Sequence, residues 1–317
     1  MAAQRPEEAE AFAPAVISNF FAVFDEGMAS RPPDLSRVGA TGGGFTLSRG
    51  VFTRASVGSA ARREIRATVN GDPHYPARTT TKAVELLLGS LGGGEFAVRL
   101  AQDVEVPIGC GFGTSSASAL SAVMAVSSAL GLRYGKAKVA SFAHAADILR
   151  RTGLGTVSST YDHTGAGVVA RAGGPGVAEV RAVRAPRDAR VVSASFRPWK
   201  SKPLLSSPTK RKRLDALGAE ALGRATSPLT FENLLEAGES FSRGLGLETA
   251  PMRRLIRRAK ERGALAAGQN MVGNAVHAVV WKDDVREVLS SMRESAPEAS
   301  VQAFLIGGEA ARALRPG

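Results

Sequence analysis

The chain has 317 residues and one cysteine, Cys110. An internal disulfide needs two, so no covalent staple holds this fold, and a reducing, cytoplasmic setting is expected. Aromatics are also scarce, at 6% of residues with two Trp and three Tyr. Readout of single-stranded nucleic acid leans on aromatic stacking platforms. The basic clusters at 62–63, 210–213 and 253–258 contain none. No apolar run is long enough to cross a membrane. The strongest, 117–132, is interrupted by Ser118, Ser121, Ser127, Ser128 and Gly131 and falls short of the roughly 20 residues a spanning helix needs. Residues 1–10 are polar and acidic, without the basic region that opens a secretory signal.

What is present is the makeup of a globular protein, 44% hydrophobic and 22% charged. Lys and Arg number 41 against 29 Asp and Glu, a formal charge of +12. A positive balance of this size suits an anionic small substrate. The clusters themselves read as solvated helix faces, so neither a nucleic-acid nor a membrane partner is expected. A homodimer stays open. The length allows two domains.

Residues 51–57 and 64–69 alternate apolar and polar with β-branched residues and read as strands. Asn70-Gly71-Asp72 is a turn signal. A helix is expected over 79–88, closed by Gly92-Gly93-Gly94, and a strand over 95–106. An apolar helix follows at 115–130, rich in small residues and so buried on most sides, then a second helix at 136–151. Residues 164–171 return to extended chain and 190–196 read as strand. Helices are expected at 207–224, 231–245, 250–261 and 283–294. Composition shifts near 187, dividing a domain at 1–186 from one at 187–317.

The segment with chemistry in it is Pro107-Ile-Gly-Cys-Gly-Phe-Gly-Thr-Ser-Ser-Ala117. A strand ends, three glycines alternate, hydroxyl residues follow and a helix begins. Glycines let backbone N–H groups approach an anion, because no Cβ intervenes. A helix start adds unpaired N–H donors and the positive end of the dipole. Ser or Thr in the first turn can cap the helix or face a metal. The loop lacks the Gly-Lys-Ser/Thr ending of a P-loop and does not match a dinucleotide fingerprint. A tight structural turn is the alternative.

This segment resembles the second signature motif of the GHMP kinases, and within them the archaeal pantoate kinases. Other segments resemble family elements in order: 11–21 its opening, Gly39 to Gly44 followed by Leu47-Ser-Arg-Gly50 its next glycine turn and strand, Ala143-His-Ala-Ala-Asp147 and Gly153-Leu-Gly155 the helix and loop after the phosphate motif, Ser201-Lys202 with Leu205-Ser206 a later element, and Gln269-Asn-Met-Val-Gly-Asn274 the third motif. The resemblance implies an α+β, two-domain GHMP kinase fold. Its N-terminal domain is like domain 2 of ribosomal protein S5, and its C-terminal domain derives from a ferredoxin-like unit. It implies ATP and Mg²⁺ as cofactors and phosphorylation of pantoate to 4-phosphopantoate in coenzyme A biosynthesis. Another small hydroxy acid or alcohol is the alternative substrate, and a non-catalytic ligand-binding protein the alternative function.

Carried onto this chain, the resemblance assigns the ATP phosphates to Pro107, Gly109, Gly111, Phe112, Gly113, Thr114, Ser115 and Ser116. It makes Ser115 and Asp147 the Mg²⁺ ligands, Asp147 standing where the family usually has Glu. Arg171, at a strand end, suits the pantoate carboxylate through its guanidinium fork. Ser18 and Asn19 are placed to bond substrate hydroxyls, and Ser201 and Lys202 to meet substrate or phosphate. Thr156 is the departure, because the family usually has Asp there and Thr is no general base near neutral pH. Asp162 takes the role from a shifted loop, or His163 does, or no base is needed, as is thought for homoserine kinases, or activity is lost. His144 and His277 fall on apolar segments that read as helical, and so as core histidines.

Overall fold

The computed structural model describes residues 7–199 and 207–314. It opens with an 18-residue strand, β1 (Glu7–Phe24), and a 21-residue strand, β2 (Gly39–Ser59). The two pair antiparallel along their whole length, from Glu7 opposite Val57 to Phe24 opposite Gly39. Two register shifts, at Pro14/Val16 and Ser18/Phe20, bend the pair. Glycines on β2 accept those bends. A Cβ on Gly44 would stand 2.1 Å from the Ile17 carbonyl oxygen, and one on Gly50 the same distance from that of Ala13. The expected glycine turn at 39–44 is therefore strand, with the glycines serving close approach rather than reversal.

β3 (Glu64–Val69) is followed by the Asn70-Gly71 turn, with φ of 49° and 79°. The helix α1 (Arg78–Gly89) then crosses back to β4 (Phe96–Val104), which runs parallel to β3. A parallel pair needs such a crossover. α2 (Thr114–Ala129) and α3 (Lys136–Arg150) follow. Twelve of the sixteen residues of α2 are buried, because it lies against β1 and β2 with α1 and α3 beside it. A short helix, α4 (Thr156–Thr160), leads to the hairpin β5 (Ala166–Arg171) and β6 (Glu179–Val183), joined to β2 through β5.

The second sheet starts at β7 (Ala189–Ser195). It is interrupted by α5 (Pro208–Ala225), α6 (Phe231–Leu245) and α7 (Ala250–Glu261). It continues through β8 (Ala266–Gln269), β9 (Ala275–Trp281), α8 (Val285–Ser295) and β10 (Ser300–Leu305), in the strand order β10-β7-β9-β8. The last strand, β11 (Arg312–Leu314), returns to the first sheet and pairs with β1 at residues 10–12. The first sheet thus takes one strand, β11, from beyond residue 187, whereas all four strands of the second sheet lie after it. One large core fills the space around the first sheet, and a smaller one lies between α7, α8 and the second sheet. His277 is on β9, not on a helix. Among the described residues no helix is long and apolar enough to cross a membrane.

Candidate active site

The loop between β4 and α2 is built around three left-handed glycines, Gly109, Gly111 and Gly113, at φ of 75°, 83° and 62°. Only glycine takes such angles without strain. Space is as restrictive as conformation. A Cβ on Gly111 would lie 2.8 Å from Asn270, and one on Gly113 would lie 2.6 Å from Val16 Cγ1 and 3.0 Å from Thr156 Cγ2. The backbone N–H of Val16 donates to the Phe112 carbonyl at 3.1 Å, tying the loop to β1. The buried Phe112 ring packs on Phe304, and the Cys110 thiol donates to the Phe196 carbonyl at 3.2 Å. No side chain caps the start of α2 at Gly113. Its first N–H groups are left for another acceptor, the usual arrangement of an anion site.

Gly109, Gly111, Gly113, Thr114, Ser115 and Ser116 line one wall of a cavity of about 1040 Å³. Ser18, Gly42 to Gly44, Thr156 and His163 line other walls, as do Arg78, Arg151 and Arg211. Among the described lining residues the single carboxylate is Asp25, and Arg211 pairs with it at 3.3 Å. The cavity is therefore biased toward anions.

Asp147 lies just behind that wall, 1% exposed on α3. Its Oδ2 accepts a short hydrogen bond from Ser116 Oγ, and its Oδ1 accepts from Thr152 Oγ1 at 2.6 Å. Thr152 Oγ1 in turn meets Thr79 Oγ1 at 3.1 Å, linking the end of α3 to the start of α1. A Cβ on Gly153 would sit 2.8 Å from Asp147 Oδ2 and 3.0 Å from Ser116 Oγ. Gly153, which lines the cavity, therefore packs directly on the Asp147–Ser116 pair with no room for a side chain. Among the described residues no three His, Cys, Asp or Glu gather to hold a metal. Mg²⁺ is usually held by one or two carboxylates, with phosphate and water completing the shell. A carboxylate offers about four acceptor sites. One buried carboxylate beside two cavity hydroxyls, Ser115 and Ser116, fits such an ion.

Other residues expected at the site are distributed differently. Ser18 lines the cavity, but Asn19 is buried on the far side, where its side chain packs against Gly238 of α6. Neighbouring strand residues face opposite ways. Asp162 is outside the cavity. It is bonded to Lys136 at 2.9 Å with 57% of its side chain exposed. The Lys136 hydrogen bond holds its carboxyl below the usual range, the reverse of what a base needs. Arg171 is exposed at the end of β5, opposite Glu179 and away from the cavity. Pro107 precedes the lining residues without joining them. Ser201 and Lys202 lie outside the described residues. Arg78, Arg151 and Thr152 were not anticipated, because no local pattern marks them.

The third motif forms the turn between β8 and β9 and reaches both walls. Met271 N–H donates to the Ser18 carbonyl at 3.1 Å. Gly273 lies directly on the loop, where a Cβ would stand 2.2 Å from the Cys110 carbonyl carbon. Asn270 Oδ1 accepts from His277 Nδ1 at 3.0 Å, and Gln269 Nε2 donates to the Gly273 carbonyl at 2.8 Å. Burial pushes the His277 imidazole down to about 4. His144 is also pushed down by burial, although its Nε2 donates to the Leu35 and Val38 carbonyls.

Residues 78–161 match the model of the GHMP kinases N terminal domain, a stretch that contains the loop, Asp147 and Thr156. A pantoate kinase of Thermococcus kodakarensis is 34% identical over 171 residues, 53% of this chain and 53% of that protein. The match thus spans about half the length of that curated relative. A solved phosphotransferase related to the CoA biosynthesis pathway shares the fold with a TM-score of 0.82 and 23% identity, over 97% of this chain and 99% of its own. A homoserine kinase from Cytophaga hutchinsonii does so with a TM-score of 0.68 and 15% identity, over 97% and 98%. The α+β GHMP kinase fold anticipated from the motifs is the fold observed. The match to the GHMP kinases N terminal domain thus lies across the glycine loop, and the fold is shared with these kinases through nearly the whole chain.

Proposed function

We propose that the protein transfers the terminal phosphoryl group of ATP to pantoate, giving 4-phosphopantoate for coenzyme A synthesis. The observation that carries the reading is the glycine loop forming one wall of a cavity whose described lining holds three arginines and a single, already paired carboxylate. Such a cavity suits two anions at once. The pantoate kinase of Thermococcus kodakarensis supports the choice of acceptor.

In this mechanism the loop amides and the start of α2 hold the β and γ phosphates. Ser115 and Asp147 would hold Mg²⁺, with Ser116 and Thr152 fixing the carboxylate. The ion, when bound, offsets the charge on the phosphates. The acceptor hydroxyl attacks the γ phosphorus in line, the new O–P bond forming as the bond to the β-phosphate oxygen breaks. Neither Thr156 nor the outward-facing Asp162 can take its proton. Phosphoryl transfer rests mainly on positioning and charge stabilisation, so the proton leaves late, to phosphate or solvent. Coupled detection of ADP with pantoate, homoserine and mevalonate tests the assignment. Turnover with pantoate well above the other two is expected, and turnover with another acceptor alone refutes the pantoate reading while leaving the kinase.

A further inference from the structure

Two cavity residues break a local rule. Arg78 is the first residue of α1, a helix with no acidic residue in its first turn and no side-chain cap. A cation there meets the positive end of the helix dipole. Arg151 closes α3 at φ of 55°, a left-handed position where helices commonly place glycine. Residues that go against local preference concentrate at functional sites.

The two rule-breakers are neighbours. The Thr79–Thr152 hydroxyl contact at 3.1 Å joins the residues that follow them, so both arginines flank one edge of the cavity beside Ser116. Neither guanidinium has an ion-pair or hydrogen-bond partner among the described residues. By contrast, the third lining arginine, Arg211, is held by Asp25 and Asp215.

We propose that Arg78 and Arg151 form a clamp for the polyphosphate of a nucleoside triphosphate. They would reach the phosphates from the cavity edge beside Ser116, each guanidinium fork matching a phosphate bidentately. This rests on the kinase reading and adds the charge that the loop, which offers only dipoles, does not supply. The contact between Thr79 and Thr152 holds the two helix ends that carry the pair together.

The test is isothermal titration of the full chain with ATP, ADP and AMP, alongside thermal melting, for wild type, Arg78→Gln and Arg151→Gly. Each variant should weaken ATP binding by about tenfold or more, and AMP binding by less than about threefold. Melting temperature should hold or rise. Removing a cation from a helix start, or placing glycine at a left-handed position, relieves the fold. Arg→Lys at either site should recover part of the loss. ATP affinity unchanged in both variants overturns the clamp, as does equal weakening of ATP and AMP with a lower melting temperature. Failure of the wild type itself to bind ATP is a distinct result that sinks the kinase reading and the clamp together.

Discussion

Replacing Gly273 by Ala isolates what the third motif does for the phosphate loop. Gly273 has no left-handed φ, so alanine is conformationally acceptable there and the effect is purely spatial. The new Cβ would stand 2.2 Å from the Cys110 carbonyl carbon, 2.3 Å from Gly111 N and 2.4 Å from the Cys110 carbonyl oxygen. These are backbone atoms of the loop, so no side chain can rotate away. Ordinary contact between carbons is about 3.5–4.0 Å, and loop and hairpin must therefore part by about 1 Å or more. The hairpin is braced against moving, by Gly273 N–H to the Asn270 carbonyl at 2.6 Å and by Gln269 Nε2 to the Gly273 carbonyl at 2.8 Å. Overpacking of this kind costs about 1–3 kcal/mol. At about 2–4 °C per kcal/mol for chains of 150–250 residues, and less for a longer one, a fall of a few degrees in melting temperature is expected. Displacing a phosphate cradle by about 1 Å costs on the order of 100-fold in function. Differential scanning fluorimetry and ATP titration read the two effects. A variant that melts and binds ATP like wild type refutes the claim that this hairpin holds the loop in place.

Asp162→Asn should leave turnover within about threefold of wild type in the coupled ADP assay, since the carboxylate faces Lys136 and solvent; a loss of 100-fold or more restores it as the base. His163→Gln should likewise keep most of kcat if no base is used, and a collapse with the pH profile flattened refutes the base-free route. Asp147→Ala removes the acceptor of two hydroxyls and should destabilise the fold by about 2–4 kcal/mol in urea titration. It should also abolish the Mg²⁺ dependence of ATP binding. His277, moved from 6.5 to about 4, stays neutral when folded while the unfolded chain takes up a proton. Its contribution is complete above about pH 6.5 and is lost as pH falls toward 4, up to about 3 kcal/mol, with His144 acting in the same direction. Urea titrations between pH 7.5 and 4.5 should show that loss, reduced in His277→Gln.

Where local chemistry decided the structure, the sequence was enough to read it. α6 is bounded by Thr230, whose hydroxyl accepts from Asn233 N–H at 3.1 Å, and by Gly246 at φ of 68°. α7 starts behind the capping Thr249. Both match the expected spans, as does β3. β1 was not legible in its full length. Its residues 11–17 are all buried, so the alternation that marks a half-exposed strand is missing. The short strands β6, β8, β10 and β11 carry too little pattern to stand out. At the site, the glycine loop was legible because left-handed backbone demands glycine. Which hydroxyl meets Asp147 was not. Ser115 and Ser116 differ by about 100° of helix rotation, and only the packing of α2 on α3 selects Ser116. Asp162 faces outward for a similar tertiary reason, because Lys136 at the start of α3 attracts it.

The return of β11 to β1 bears on how the chain matures during synthesis. β1 emerges early and pairs with β2 on one side. Its other edge is closed at one end by β11 and at the far end by α5, where Asp215 accepts from Val23 N–H at 2.8 Å and Arg211 donates to the Val23 carbonyl at 3.0 Å. Both covers are translated long after the strand they shield. A nascent chain that has made only the first sheet therefore presents a long, largely apolar edge with open backbone donors and acceptors, the surface on which strands of other chains add. The glycine loop is already synthesised at that stage, but Gly273 and Asn270 are not. Until they arrive, the polypeptide is at its most prone to self-association and has no completed phosphate cradle to be steadied by nucleotide.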